Sequence, residues 1–91
     1  MIFEWDERKR LINLRKQGFD FRDCAAVFRG PILSIPDERV DYGERRLRTY
    51  GLLRGQVVVV AHTEGTDVVR IISMRKASRR EQAQYFENLQ D

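Results

Sequence analysis

The 91-residue chain has little cysteine, histidine or proline: one, one and two residues respectively, and no apolar run of membrane-spanning length. A single thiol, Cys24, supports neither a disulfide framework nor a multi-cysteine metal site, and it fits a reducing compartment. No metal-ligand spacing can be built around the only imidazole, His62, and no glycine-rich loop is present to cradle a nucleotide phosphate. Residues 1–10 lack the apolar segment of a signal peptide. These absences predict a soluble, cytoplasmic protein with no membrane association, no metal and no cofactor.

What the chain does have is arginine, 14 against 3 lysines. The planar guanidinium suits bidentate recognition of phosphate or carboxylate. The net charge is only +3, yet residues 44–80 hold nine basic side chains against three acidic ones, and the rest of the chain is acidic by three. A length of 91 residues predicts one domain over 1–91 with a modest core, and so a surface site rather than a deep pocket.

The centre of that domain is expected at residues 56–81. Val57, Val58, Val59 and Val60 form an unbroken β-branched run, which fits a strand covered on both faces. The chain returns through Val68 to Met74 after a turn at Thr63, Glu64, Gly65 and Thr66, the pattern of a hairpin. Residues 44–53 read as a third strand, with Arg46, Arg48, Tyr50 and Leu52 on one face and a tight turn at Arg54-Gly55. The three strands predict an antiparallel meander.

Around it, Ile2, Phe3 and Trp5 suggest a short strand ending at an Asp6 cap. A helix follows to about Gln17, with Leu11 and Leu14 inside, Lys9, Asn13 and Lys16 on a solvated or partner-contacting side, and Gly18 as its stop. Asp20 can cap a second helix, with Phe21, Cys24, Ala25 and Phe28 as its apolar stripe. Ile32 to Ile35, between Pro31 and Pro36, reads as an edge strand, and residues 37–43 as a polar connection. Ser78 and Glu81 have capping-box spacing, so a last helix should run to near residue 89, with Ala83, Phe86 and Leu89 or Gln90 as its stripe. The expected class is α+β: an antiparallel sheet with two N-terminal helices and one C-terminal helix.

The chemistry open to such a chain is that of a basic sheet. Arg45, Arg46, Arg70, Arg75 and Lys76, with Glu44 and Tyr85 as companions, can bind phosphodiesters. RNA cleavage without metal needs a base for the 2′-hydroxyl, cations for the phosphorane and a proton donor for the leaving oxygen. Basic sheets also bind nucleic acid without cutting it. His62, closing the valine strand, can be structural or a proton donor near neutral pH.

The strings FEWDERKRLINLRKQGFDF (residues 3–21), YGERR (42–46) and VVRIISMRKASRRE (68–81) resemble the BrnT family of bacterial type II toxins over nearly the whole chain. The resemblance implies a RelE-like fold, a ribonuclease (a hydrolase) that arrests translation, and a BrnA-type ribbon-helix-helix antitoxin. It also implies a hetero-oligomer that reaches operator DNA only through that antitoxin. Residue by residue it implies Arg70 and Arg75 as catalytic cations, Glu44 as the catalytic base or a structural pair to Arg70, and Lys76 in RNA binding or antitoxin contact. Arg45 and Arg46 of the basic array and Arg79, a cation in the first turn of the last helix, are the further expected RNA contacts. Three positions depart from the family pattern: Gln17 stands for a histidine, His62 for an aromatic and Gly65 for an arginine. They set up the alternative of a catalytically weak or inactive antitoxin-binding module acting in operon autoregulation.

Overall fold

The computed structural model describes residues 1–39, 41 and 43–89; Val40 and Tyr42 of the polar connection, and Gln90 of the last helix's expected stripe, lie outside the described residues. The four valines are all buried because β4 (Gln56–Thr63) is the middle strand of a five-stranded sheet. β3 (Arg46–Leu53) and β5 (Val68–Lys76) flank it, both antiparallel to it. Between β3 and β4, Arg54 and Gly55 both have positive φ, 49° and 79°, as a two-residue hairpin turn demands. β2 (Leu33–Pro36) pairs antiparallel with β3 and forms one edge.

The other edge corrects the expectation of a wholly antiparallel sheet. β1 (Ile2–Glu4) lies parallel to β5, pairing Ile2 with Val68, Phe3 with Val69 and Glu4 with Arg70. The sheet is therefore mixed, in the order β1-β5-β4-β3-β2. Phe3 supplies the physical reason: in this register it enters the helix-covered core and stacks on Phe28, with ring centroids 5.2 Å apart.

α1 (Glu7–Gln17) starts at the Asp6 cap, whose carboxylate accepts from Lys9 N at 3.1 Å, and stops at Gly18 in the left-handed region. The second helix opens as a 3-10 turn, Phe21–Asp23, and continues as α2 (Cys24–Arg29). Together these segments cover one sheet face over a core of Phe21, Cys24, Val27, Val58, Val60, Val69, Ile71 and Met74. The inner side of α1 differs from the expected leucine stripe. Leu11 is 51% exposed, whereas Asn13 is only 9% exposed. Asn13 points inward because its amide serves the backbone: it donates to Phe19 O and Met74 O at 3.0 and 2.9 Å and accepts from Met74 N at 3.2 Å.

α3 (Arg79–Asn88) crosses one end of the opposite face, held at its start by the Ser78–Glu81 capping box. Its buried side is formed by Tyr85, with Glu81 and Gln82 half-buried, rather than by Ala83, Phe86 and Leu89; Phe86 is 48% exposed. Tyr85 wins the inward place because its ring joins Tyr50, Val57, Val59 and Ala77 while its hydroxyl donates to Pro31 O at 2.7 Å. Tyr85 thus belongs to the core and not to the arginine array. Because α3 covers only one end, the rest of that sheet face stays open. No described helix is long and apolar enough to cross a membrane.

Candidate nucleic-acid interface

Strand alternation decides which arginines reach the open face. On β5, Val69, Ile71 and Met74 enter the helix-covered core, so Arg70 and Arg75 both project to the other side. The bulge makes this possible for both: Ala61 pairs with Ser73 but His62 with Ile71, leaving Ile72 as the extra residue that resets the alternation. On β3, Tyr50 shares the row of Val59 and Arg75, Arg48 the row of Ala61 and Ser73, and Arg46 the row of Thr63. Arg46, Arg48, Arg70 and Arg75 therefore line one face of one sheet.

The expected catalytic residues are distributed over that face rather than gathered at one point. Arg70 and Arg75 are five positions apart on β5, roughly 16 Å at about 3.3 Å per residue. Arg70 pairs with Glu4 of β1 at 3.7 Å, and its backbone N–H donates to the Thr63 hydroxyl at 3.1 Å. Glu44 stands 3.4 Å from Arg46 Nε, in a shallow depression of about 360 Å³ shared with Pro36, Asp37, Glu38, Asp41 and Arg45. Arg45 is paired with Glu64 at 3.2 Å. Lys76 is exposed and shares the register position of Val58, which places it on the opposite side from Arg75. Arg79 is exposed in the first turn of α3.

Arg75 is the most firmly held of these cations. Its guanidinium forms a fork on Glu81, Nη1 to Oε1 at 2.7 Å and Nη2 to Oε2 at 2.9 Å. Glu81 also accepts from Ser78 N at 2.9 Å, and Tyr50 Oη donates to its Oε2 at 3.4 Å. The Arg75 hydrogen bonds outweigh desolvation and hold the Glu81 carboxyl down at about 2. Glu81 was legible only as a helix cap; its second role needs the fold, which brings the first turn of α3 beside β5. Arg48 is the other residue that sequence reading did not single out for the site. Its Nη1 lies 3.9 Å from Glu81 Oε2 and 3.5 Å from Tyr50 Oη, and its Nε is buried with no acceptor among the described residues.

His62 lies on the other side of the sheet, against the edge of Phe28. Its Nδ1 faces Thr63 O at 2.8 Å and its Nε2 faces Thr49 Oγ1 at 2.6 Å, while Thr49 Oγ1 is 2.8 Å from Ser34 Oγ. Both nitrogens are satisfied if Nδ1 carries the proton and Thr49 donates to Nε2. Burial lowers its pKa from 6.5, so the ring is neutral at pH 7. In this position it is a core residue and not a proton donor for the open face. Gly65 also has a steric cause, since an added Cβ would stand 2.2 Å from Val68 O. Gln17, the third departure, lines a small groove with Lys9, Ile12, Asn13, Lys16 and Ile72.

An open, arginine-lined sheet face together with the sequence strings fits one family. The family model described as a ribonuclease toxin, BrnT, of a type II toxin-antitoxin system matches residues 5–81. The chain belongs to the BrnT family. Membership makes it a ribonuclease toxin whose partner is an antitoxin. No curated protein matches the sequence. For a member of the BrnT family, the open face is the candidate for contact with RNA, because the helices cover the other.

Proposed function

We propose that this BrnT chain is a metal-independent endoribonuclease of RelE-like architecture that arrests translation in the cytoplasm. Its antitoxin is a BrnA-type ribbon-helix-helix protein, the two form a hetero-oligomer, and operator DNA is reached only through that complex. The observation that carries the reading is the alignment of Arg46, Arg48, Arg70 and Arg75 along one uncovered sheet face. Guanidinium groups fixed along that face can stabilise the charge that develops on a pentavalent phosphorus.

In this reading the 2′-oxygen of the ribose gives up its proton and forms a bond to phosphorus, the bond to the 5′-oxygen breaks, and that oxygen leaves with a proton. Arg70 and Arg75 act as catalytic cations, and Arg45, Arg46 and Arg79 bind the RNA strand; Lys76, on the opposite side of the sheet, is left out of that set. Glu44 is the candidate base. Glu81 is a poor one, because its carboxyl titrates near 2 and would leave little driving force for proton abstraction.

Purified protein should cleave RNA in the presence of a chelator. Arg70→Ala and Arg75→Ala should each lower the rate at least a hundredfold, a cost of about 3 kcal/mol in the barrier, with an amide spectrum like that of the parent. Full cleavage by both folded variants removes the two arginines from the mechanism. Tight capture of antitoxin with no cleavage at high protein concentration would support the non-catalytic antitoxin-binding alternative instead.

A further inference from the structure

Among the described residues, charge counting around Glu81 leaves one guanidinium without an anion of its own. Arg39 is taken by Asp37, at 2.8 Å. Over Glu81 stand Arg75, which occupies both carboxylate oxygens at hydrogen-bonding distance, and Arg48, which reaches only to 3.9 Å. Asp37 is held below the usual carboxylate range chiefly by Arg39, with Arg48 a lesser contributor. Arg48 is 21% exposed, so the charge is substantially withdrawn from water, and its Nε–H has no acceptor among the described residues. A buried donor left unpaired is costly, more so on a charged group. Tyr50 cannot relieve it, because the hydroxyl lies on the Nη1 side at 3.5 Å and its proton is directed at Glu81.

Two guanidiniums, a phenol and one carboxylate on a rigid sheet therefore have a surplus of donors and of one positive charge. From this we infer that Arg48, Arg75 and Tyr50 form a phosphate subsite that takes one backbone phosphate of the RNA, with the surplus charge of the partly exposed Arg48 guanidinium as its principal attraction. Glu81 is a positioning residue there: it fixes the Arg75 fork and Tyr50, and leaves the Arg48 guanidinium to the incoming anion. The inference rests on the reading of the open face as the RNA surface and adds where along it a phosphate is gripped.

The test is a titration followed by the arginine side-chain Nε–H resonances of the isotope-labelled full chain. The probes are inorganic phosphate and a 2′-O-methyl oligoribonucleotide, which lacks the attacking hydroxyl. The Arg48 resonance should move saturably with both, and Arg48→Gln should weaken oligonucleotide binding about tenfold, the scale of one charge-assisted hydrogen bond. Arg48→Lys keeps the charge but lacks the fork and should restore only part of that loss. If the Arg48 resonance stays fixed while that of Arg70 moves, the subsite is overturned and the RNA-binding reading stands. If neither moves although the protein cleaves RNA, the subsite again fails and the ribonuclease survives; no shift and no cleavage removes both.

Discussion

Protonating His62 would place a cation between the Phe28 ring and the sheet, with one nitrogen still needed as the acceptor for Thr49. Above pH 6.5 the imidazole is neutral in both the folded and unfolded chain, and its full contribution to stability is present. Below 6.5 the unfolded chain takes up a proton that the folded one refuses, so stability falls with pH until the lowered folded pKa is passed as well. Other groups act in a different window. Asp20, lowered to about 2 first by its Arg22 hydrogen bond, and Glu81, lowered to about 2 by Arg75, contribute stability that is full above their ordinary values of 3.8 and 4.5 and is lost as pH falls toward 2. The interval between about pH 5 and 6.5 is thus left to His62. Urea midpoints should fall across that interval for the parent and stay level for His62→Phe, which fits a site already lined by Phe28. Because Ser34 can accept the Thr49 proton, the variant should lose no more than about 1 kcal/mol at pH 7. An equal slope in both proteins would show that another group titrates there.

At the scale of elements, α1 is attached to β5 by one amide side chain. Asn13 spans the Met74 N–H and C=O as a neighbouring strand would, and also donates to the Phe19 carbonyl. Asn13→Leu keeps the branching and the number of heavy atoms but leaves three backbone groups unpaired, so it should cost about 2 to 4 kcal/mol by urea unfolding. The Met74 amide should also exchange its hydrogen much faster. A leucine variant as stable as the parent would mean that apolar burial alone docks the helix. The same residue shows where reading the sequence stops. The valine run, the Arg54-Gly55 turn and the Ser78–Glu81 cap are local signals, and each became the element it announced. Asn13 and Leu11 exchanged their expected places because the need for Asn13 arises from a strand 61 residues away. β1 was readable as a strand but not as a parallel one, since three residues carry no register of their own. The open arginine face was half legible: alternation on β3 placed Arg46, Arg48 and Tyr50 together, but the bulge at Ile72 that turns Arg70 to the same side as Arg75 has no local signature. Glu81 looked complete as a cap, which hid its role as the anchor of Arg75.

For the whole molecule the net charge of +3 is too small to attract RNA by its overall field, so affinity must come from the cations that touch phosphates. Several are already engaged: Arg45 with Glu64, Arg10 and Arg22 with Asp20, and Arg54 with Asp23. On the open face, Arg70 is more than 3.5 Å from Glu4, Arg48 is poorly satisfied, and Arg75 retains N–H groups beyond its fork. Three phosphate contacts by these residues contribute roughly −2 to the slope of the logarithm of the binding constant against the logarithm of salt, at about −0.7 per contact for a single strand. Arg48→Gln, Arg70→Gln and Arg75→Gln should each remove about 0.7 from that slope. Lys9→Gln and Lys16→Gln, on α1 across the sheet, should leave it unchanged. Measured with the uncleavable oligoribonucleotide, the opposite pattern, with loss on changing the α1 lysines and none on changing the strand arginines, would move the RNA to the helix-covered face. The expected pattern ties fold to function through one structural fact: α3 covers only the end of its sheet face, and the arginines of β3 and β5 occupy what it leaves open.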